Sequence, residues 1–254
     1  MKWNLKLSKI VIAGCVVLGS CTSEETKTIT RGDVDTSLNE EVQIVTDTLI
    51  NELQSFFITD EITKEQFEKS SGKLKKLRDG FEEASNIKMA WADKVSRTDT
   101  LTWTIHAITK DVELRDKPEE GEEYVHYSFQ GIEKELALFR IDGYEWYGFC
   151  FISLLNGERI DCDGMPRISE NGKNVVSCNG DLTAMFTNNS IQYFRNSNTG
   201  HFEEKAVLIL SAYEPFDACW ETDETFVVGF RFPDYSHSNQ PNRYFRLQLN
   251  DKTK

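Results

Sequence analysis

Residues 169–176, Ser169-Glu170-Asn171-Gly172-Lys173-Asn174-Val175-Val176, decide the fold class. A polar run ending in Asn-Gly-Lys meets an apolar β-branched pair. The glycine supplies the positive φ that a tight turn needs, and valine favours the pleated surface of a strand, so the stretch predicts a turn leading into a strand. Shifted forward by 51 residues it falls on Trp220-Glu221-Thr222-Asp223-Glu224-Thr225-Phe226-Val227. The same shift carries Tyr193-Phe194-Arg195 onto Tyr244-Phe245-Arg246, and the reverse shift brings Pro118-Glu119-Glu120-Gly121-Glu122-Glu123-Tyr124-Val125 into register. Each unit reads as a polar turn, a strand and a later strand.

Around these units the texture is that of β structure. Short runs rich in aromatic and β-branched residues, separated by Asn, Gly, Asp and Pro, predict strands at 101–109, 124–128, 135–141, 147–155, 159–162, 174–178, 191–195, 205–210, 225–232 and 243–249. A period of about 40–50 residues suits a propeller blade. The stretch from Gly164 to Ser177, with Pro166, Ile168, Ser169, Gly172 and Lys173 at fixed spacing, resembles the repeat of TolB-like propellers; Glu170 stands where that repeat has proline and Asn171 where it has aspartate. The resemblance implies propeller blades. Three such units are too few for a ring, which usually has four or more. The expectation is therefore a mainly β chain, with residues 96–254 forming an antiparallel β domain that is either propeller-like or a β-sandwich.

Residues 36–95 read differently. Ser37 and Glu40 form a capping box, and Leu38, Val42, Val45, Leu49, Leu53 and Phe56 follow at helical spacing. A break falls at Thr59-Asp60. Thr63 and Gln66 then offer a second cap, ahead of Phe67, Leu74, Leu77, Phe81 and Ala84. The two segments predict a helical hairpin, so the class expected is α+β. Residues 21–35 are polar, without apolar period, and read as a flexible tether.

Residues 1–20 predict an export signal. Lys2, Lys6 and Lys9 precede an apolar run from Ile10 to Ser20. At about eleven residues the run is too short to span a bilayer, which needs roughly twenty. Leu18-Gly19-Ser20-Cys21 resembles the lipobox of bacterial lipoproteins, which implies cleavage before Cys21 and acylation of that residue. The membrane is then a partner through lipid. Ser23-Glu24-Glu25 resembles the surface-export signal of some Gram-negative lipoproteins, which points to the outer face of the outer membrane, with the periplasmic leaflet as the alternative.

The 254-residue chain carries a formal charge of −13. Cleavage would remove three lysines and no acid, leaving about −16, which disfavours nucleic acid as a partner. Cys150, Cys162, Cys178 and Cys219 would remain beside the lipidated cysteine, an even number suited to disulfides in an oxidising compartment, with free buried thiols as the alternative. One pairing is argued against. The hairpin signal Asn156-Gly157 puts Phe151 opposite Cys162, which turns Cys150 and Cys162 to opposite faces.

No catalytic motif is visible, and no cofactor is implied. His106, His126, His201 and His237 have no ligand-type partner close in sequence and read as surface or structural residues. Asp161, Asp163 and Asp181 are a weak calcium candidate, since the loop lacks a following glutamate. Trp103, Tyr144, Trp146 and Trp220 are candidate ligand-binding aromatics, because exposed rings stack on sugar faces; packing in the core is the competing reading. The function expected is non-enzymatic binding of protein or glycan at the outer membrane, and the alternative is a hydrolase acting on envelope or extracellular polymers.

Overall fold

The computed structural model describes residues 48–78, 91–119, 121–197, 199–233 and 241–251. The predicted signal, Cys21, the tether, the start of the first helix, the residues beyond Arg78 in the second, and His237 lie outside them.

Among the described residues the chain is mainly β, in four antiparallel sheets. The first joins β2 (Val95–Arg97), β3 (Thr102–His106) and β4 (Asp111–Arg115). The second is a meander of β5 (Val125–Glu133), β6 (Leu136–Gly143), β7 (Tyr147–Ser153) and β8 (Arg159–Cys162). The third repeats that order with β9 (Pro166–Ile168), β10 (Asn174–Asn179), β11 (Ser190–Asn196) and β12 (Phe202–Ile209). The fourth holds β13 (Glu214–Trp220), β14 (Thr225–Arg231) and β15 (Arg243–Leu249), and is completed from the other end of the described chain by β1 (Phe57–Ile62) pairing with β15.

The sheets share cores in sequence order. Trp103, Ile105 and Leu114 of the first pack with Ala137, Phe139, Cys150 and Ile152 of the second. The alternate residues of the second, Leu136, Leu138, Phe151 and Cys162, pack with Ile168, Val175, Phe194 and Phe202 of the third. Val176, Tyr193 and Leu208 of the third meet Phe226, Val228, Phe245 and Leu247 of the fourth. A strand covered on both faces cannot alternate apolar with polar, which is why β6 opens as an unbroken Leu-Ala-Leu-Phe run.

The repeat becomes a row of turns at one end of the sheets. Gly172 sits at φ +72° between β9 and β10, with the Ser169 hydroxyl and the Asn171 carboxamide satisfying the turn. The matching turn between β13 and β14 abuts it: Asn171 N–H donates to Asp223 Oδ1 at 2.8 Å and Asn174 Nδ2 to the Asp223 carbonyl at 2.6 Å. On the other side a Cβ at Gly172 would lie 3.2 Å from Lys134 Cβ, in the β5–β6 turn. The third sequence unit departs from this row. Residues 118–125 lead into β5, and the structural counterpart of the Gly172 turn is Lys134-Glu135, both at positive φ.

The expected helical hairpin needs correction. A helix at 48–54, α1, and the helix Lys64–Arg78, α2, are separated by a strand, β1, where a simple break was expected. Phe57-Ile58-Thr59-Asp60-Glu61-Ile62 buries its two end residues and pairs with β15 along its full length. The edge offered by β15 outweighs local helical spacing, because each added strand residue gains ladder bonds and core contact. The second cap is as expected: Thr63 N–H donates to Gln66 Oε1 at 2.8 Å and Gln66 N–H to Thr63 Oγ1 at 3.3 Å. Leu49 and Leu53 of α1 enter the core between the third and fourth sheets, and Phe67 of α2 packs on Cys219, Val227 and Tyr244 of the fourth sheet's outer face.

Candidate functional site

The end of the sheets opposite the Gly172 turns exposes a group of large apolar side chains. The β6–β7 loop presents Tyr144, Trp146 and Tyr147, which are 50%, 38% and 39% exposed. The loop is tight: Gly143 N–H donates to the Trp146 carbonyl at 2.8 Å, and Glu145 takes φ +62°. The indole of Trp146 lies against Gly143, where a Cβ would fall 2.0 Å from Cε2, and reaches toward Gly148. Two glycines thus make the seat on which one side of the ring rests, leaving the remainder to solvent.

Polar groups border Tyr147. The Arg140 guanidinium stands 5.4 Å from the centroid of the Tyr147 ring and pairs with Asp142 at 2.7 Å. The Tyr147 hydroxyl donates to Asn179 Oδ1 at 3.1 Å, and Asn179 Nδ2 donates to Thr187 Oγ1 and the Asn188 carbonyl. Asn179 therefore ties the aromatic loop to residues 180–189, which expose Met185 and Phe186. That second loop is braced from within. Asp181 accepts from the Met185 and Thr187 amides and from the Thr187 hydroxyl. Burial pushes the Asp181 carboxyl up, but these bonds and one from the Phe186 amide outweigh it and hold the group below the usual carboxylate range. At the loop's root buried Glu214 accepts from Leu182 N–H and pairs with Arg231 at 2.8 Å.

Of the four candidate aromatics, Tyr144 and Trp146 share one exposed loop, and the fold places the others elsewhere. Trp103 is core: its indole N–H donates to the Tyr127 carbonyl at 3.0 Å and Arg97 stacks on it at 4.6 Å. Trp220 is half-buried against Tyr193 and Phe226 and donates to the Arg167 carbonyl. It borders a cavity of about 280 Å³ with Gln66, Lys69, Ser70, Glu221 and Arg246. Arg140, Met185 and Phe186 were not singled out from sequence. Only the fold puts Asn179 beside Tyr147, 32 residues away.

The disulfide expectation is corrected. Cys150, Cys162 and Cys178 are free thiols, so no pairing forms among the four cysteines. β7 and β8 pair with Phe149 opposite Cys162, two residues from the register expected, because the connection runs through a longer turn than Asn156-Gly157 alone. A shift of two preserves side-chain parity, and Cys150 and Cys162 do face different cores. Cys178 packs on the third core, and Cys219 lies under α2. Burial pushes the Cys150 thiol up to about 12 and raises Cys162 and Cys178 well above the ordinary thiol range.

The candidate calcium carboxylates serve separate purposes. Asp161 pairs with Arg159 at 2.7 Å, Asp163 accepts from the Ser190 hydroxyl at 2.6 Å and from Asn188 at 3.3 Å, and Asp181 braces its own loop. Among the described residues no three His, Cys, Asp or Glu side chains form a metal-binding group.

The histidines are less isolated than the sequence suggests. His201 Nδ1 lies 2.7 Å from Glu158, His126 Nδ1 lies 3.1 Å from buried Asp116, and His106 Nδ1 lies 3.1 Å from Asp111. His106 also contacts Ser96 Oγ through Nε2 at 3.2 Å. Each pairing joins residues on different strands or loops. No protein-family profile, curated protein or solved structure matches this chain.

Proposed function

We propose that the chain is a lipid-anchored protein of the outer membrane, exposed at the cell surface, that binds a glycan. The observation that carries the reading is the loop that exposes Tyr144, Trp146 and Tyr147, with the Tyr147 ring bordered by hydrogen-bonding side chains of Arg140, Asp142 and Asn179. Aromatic rings suit the C–H faces of sugars, and fixed amide, guanidinium and carboxylate groups suit their hydroxyls. The stacked sheets are read as blades of a propeller-like arc, with loops at one end free to carry ligand contacts while the cores hold them rigid. The lipobox-like Leu18-Gly19-Ser20-Cys21 and the acidic Ser23-Glu24-Glu25 support the anchored, exposed location.

The test is a glycan array probed with the purified chain from residue 22 onward and with its Trp146→Ala variant. The expected result is binding to one sugar class that the variant loses. An array on which no glycan binds, or on which both proteins bind alike, overturns the reading. Location is tested separately: Cys21→Ala should move the full protein from membrane to soluble fractions, and protease added to intact cells should digest the anchored form.

A further inference from the structure

The first sheet has one apolar face and one polar face. Val95, Trp103, Ile105 and Leu114 point into the shared core. Side-chain alternation then turns Ser96, Thr104, His106, Asp111 and Glu113 to the other face. Three of these form a chain of hydrogen bonds across three neighbouring strands. Asp111 stands directly opposite His106 in the ladder and lies 3.1 Å from His106 Nδ1. Ser96, opposite Thr104, is the diagonal neighbour of His106, and its Oγ lies 3.2 Å from Nε2. With the Nδ1 proton given to Asp111, Nε2 is left with a lone pair that accepts the Ser96 hydroxyl proton. This is the order of roles by which a serine is activated, and such a constellation is recognised by geometry rather than chain order.

The backbone supplies a donor beside it. His106 N–H bonds to the Lys94 carbonyl and Thr98 N–H to the Thr102 carbonyl, which marks the hydrogen-bonded pairs of this ladder. Arg97 falls between them, opposite Trp103, so its N–H points away from β3, out of the edge of β2 that no described strand pairs, one residue after Ser96.

We propose that Ser96, His106 and Asp111 form an acyl-transfer site that hydrolyses carboxylic esters. Ser96 Oγ attacks the ester carbonyl while His106 Nε2 takes its proton. The C–O bond to the alcohol breaks, the alcohol leaves with that proton, and the acyl group stays on Ser96. Water then adds to the acyl-enzyme, giving up a proton to His106, and the carboxylic acid leaves as Ser96 recovers its hydrogen. Asp111 positions the ring. Ser96 is half-buried and His106 and Asp111 are exposed, so the site has an open approach, which suits short acyl groups pendant on a polymer rather than an enclosed small molecule. The site stands at the end of the sheets away from Trp146 and does not depend on the glycan reading.

The test uses the chain from residue 22 onward with p-nitrophenyl acetate and a fluorophosphonate probe. Labelling should map to Ser96, and Ser96→Ala and His106→Ala should each lower turnover at least tenfold while thermal midpoints stay unchanged. Asp111→Ala should lower turnover and Asp111→Glu should recover most of it. Release of acetate from an acetylated polysaccharide should follow the same pattern. Absence of label at Ser96, or turnover that survives Ser96→Ala or His106→Ala, overturns the proposal.

Discussion

Replacing Gly143 with alanine tests the aromatic site without removing a ligand-contacting side chain. The added Cβ would fall 2.0 Å from Cε2, 2.2 Å from Nε1 and 2.5 Å from Cζ2 of Trp146, so the indole must leave its seat. Gly143 is outside the left-handed region, and alanine costs nothing there in backbone strain. The ring is 38% exposed, so about three-fifths of it is covered. For an indole of roughly 200–250 Å² that is ~130 Å², which at ~25 cal/mol per Å² sets a ceiling of about 3 kcal/mol. A displaced ring keeps some cover, so the expected loss is about 1–2 kcal/mol, or about 2–8 °C in thermal midpoint for a domain of this size. Moving the anchor ring should weaken glycan binding by about 2 kcal/mol, close to thirtyfold. Calorimetric titration with the sugar found on the array, beside a melting curve and the indole emission maximum, reads all three quantities. Unchanged affinity with a shifted emission maximum would refute the platform. A collapse of the midpoint by more than about 15 °C would refute the view that the loop rests on an already stable sheet.

Cys150, Cys162 and Cys178 should resist a thiol reagent in the native protein at about pH 8 and all react once it is denatured without reductant; denatured protein in which any of the three stays unlabelled would show that it pairs after all. The depressed Asp181 carboxyl contributes stability that is complete above its unfolded value near 3.8 and lost as pH falls through the lower folded value. Amide exchange at Met185 and Thr187 should therefore rise relative to core amides below about pH 4, and an Asp181→Asn variant should lose that dependence; a wild-type loop as protected at about pH 2 as at about pH 5 would refute the bracing role. Gly172→Ala places a side chain at φ +72° with its Cβ 3.2 Å from that of Lys134, and should cost about 1–2 kcal/mol by denaturant titration, against a near-zero change if the turn relaxes freely.

The ten strands expected from sequence are all present, and residues 159–162 and 243–249 match to the residue. These are runs whose aromatic and β-branched content is bounded by turn residues, so local chemistry and tertiary packing agree. Of the strands that sequence missed, β1, β2, β9 and β13 lack that agreement. β13 begins Glu-Pro and carries a register shift between Pro215 and Asp217, which breaks the alternation. β9 and β2 have three residues each, too few for any period. β1 carries Thr59-Asp60-Glu61 in its middle and is a strand only because β15 has an edge to fill. The site was partly legible. Tyr144 and Trp146 are neighbours in sequence and in space, whereas Ser96, His106 and Asp111 meet only through the register of three strands.

The way the stack ends bears on why three visible repeats suffice. Successive sheets that share cores need a partner for each outermost face, and a ring supplies it by joining the last sheet to the first. Here the two outer faces have different solutions. On the fourth sheet Phe67 of α2 covers Cys219, Val227 and Tyr244, so a helix stands where another sheet would pack. On the first sheet the outward residues include Ser96, His106, Asp111 and Glu113, of which the last three are exposed and need no apolar cover, while Thr104 between them is buried. Among the described residues no shared core joins these two sheets. A polar terminal face is what a capping unit in a stacked array requires. The same polarity that lets the stack stop at the first sheet leaves a serine, a histidine and an aspartate side by side on a rigid and accessible surface.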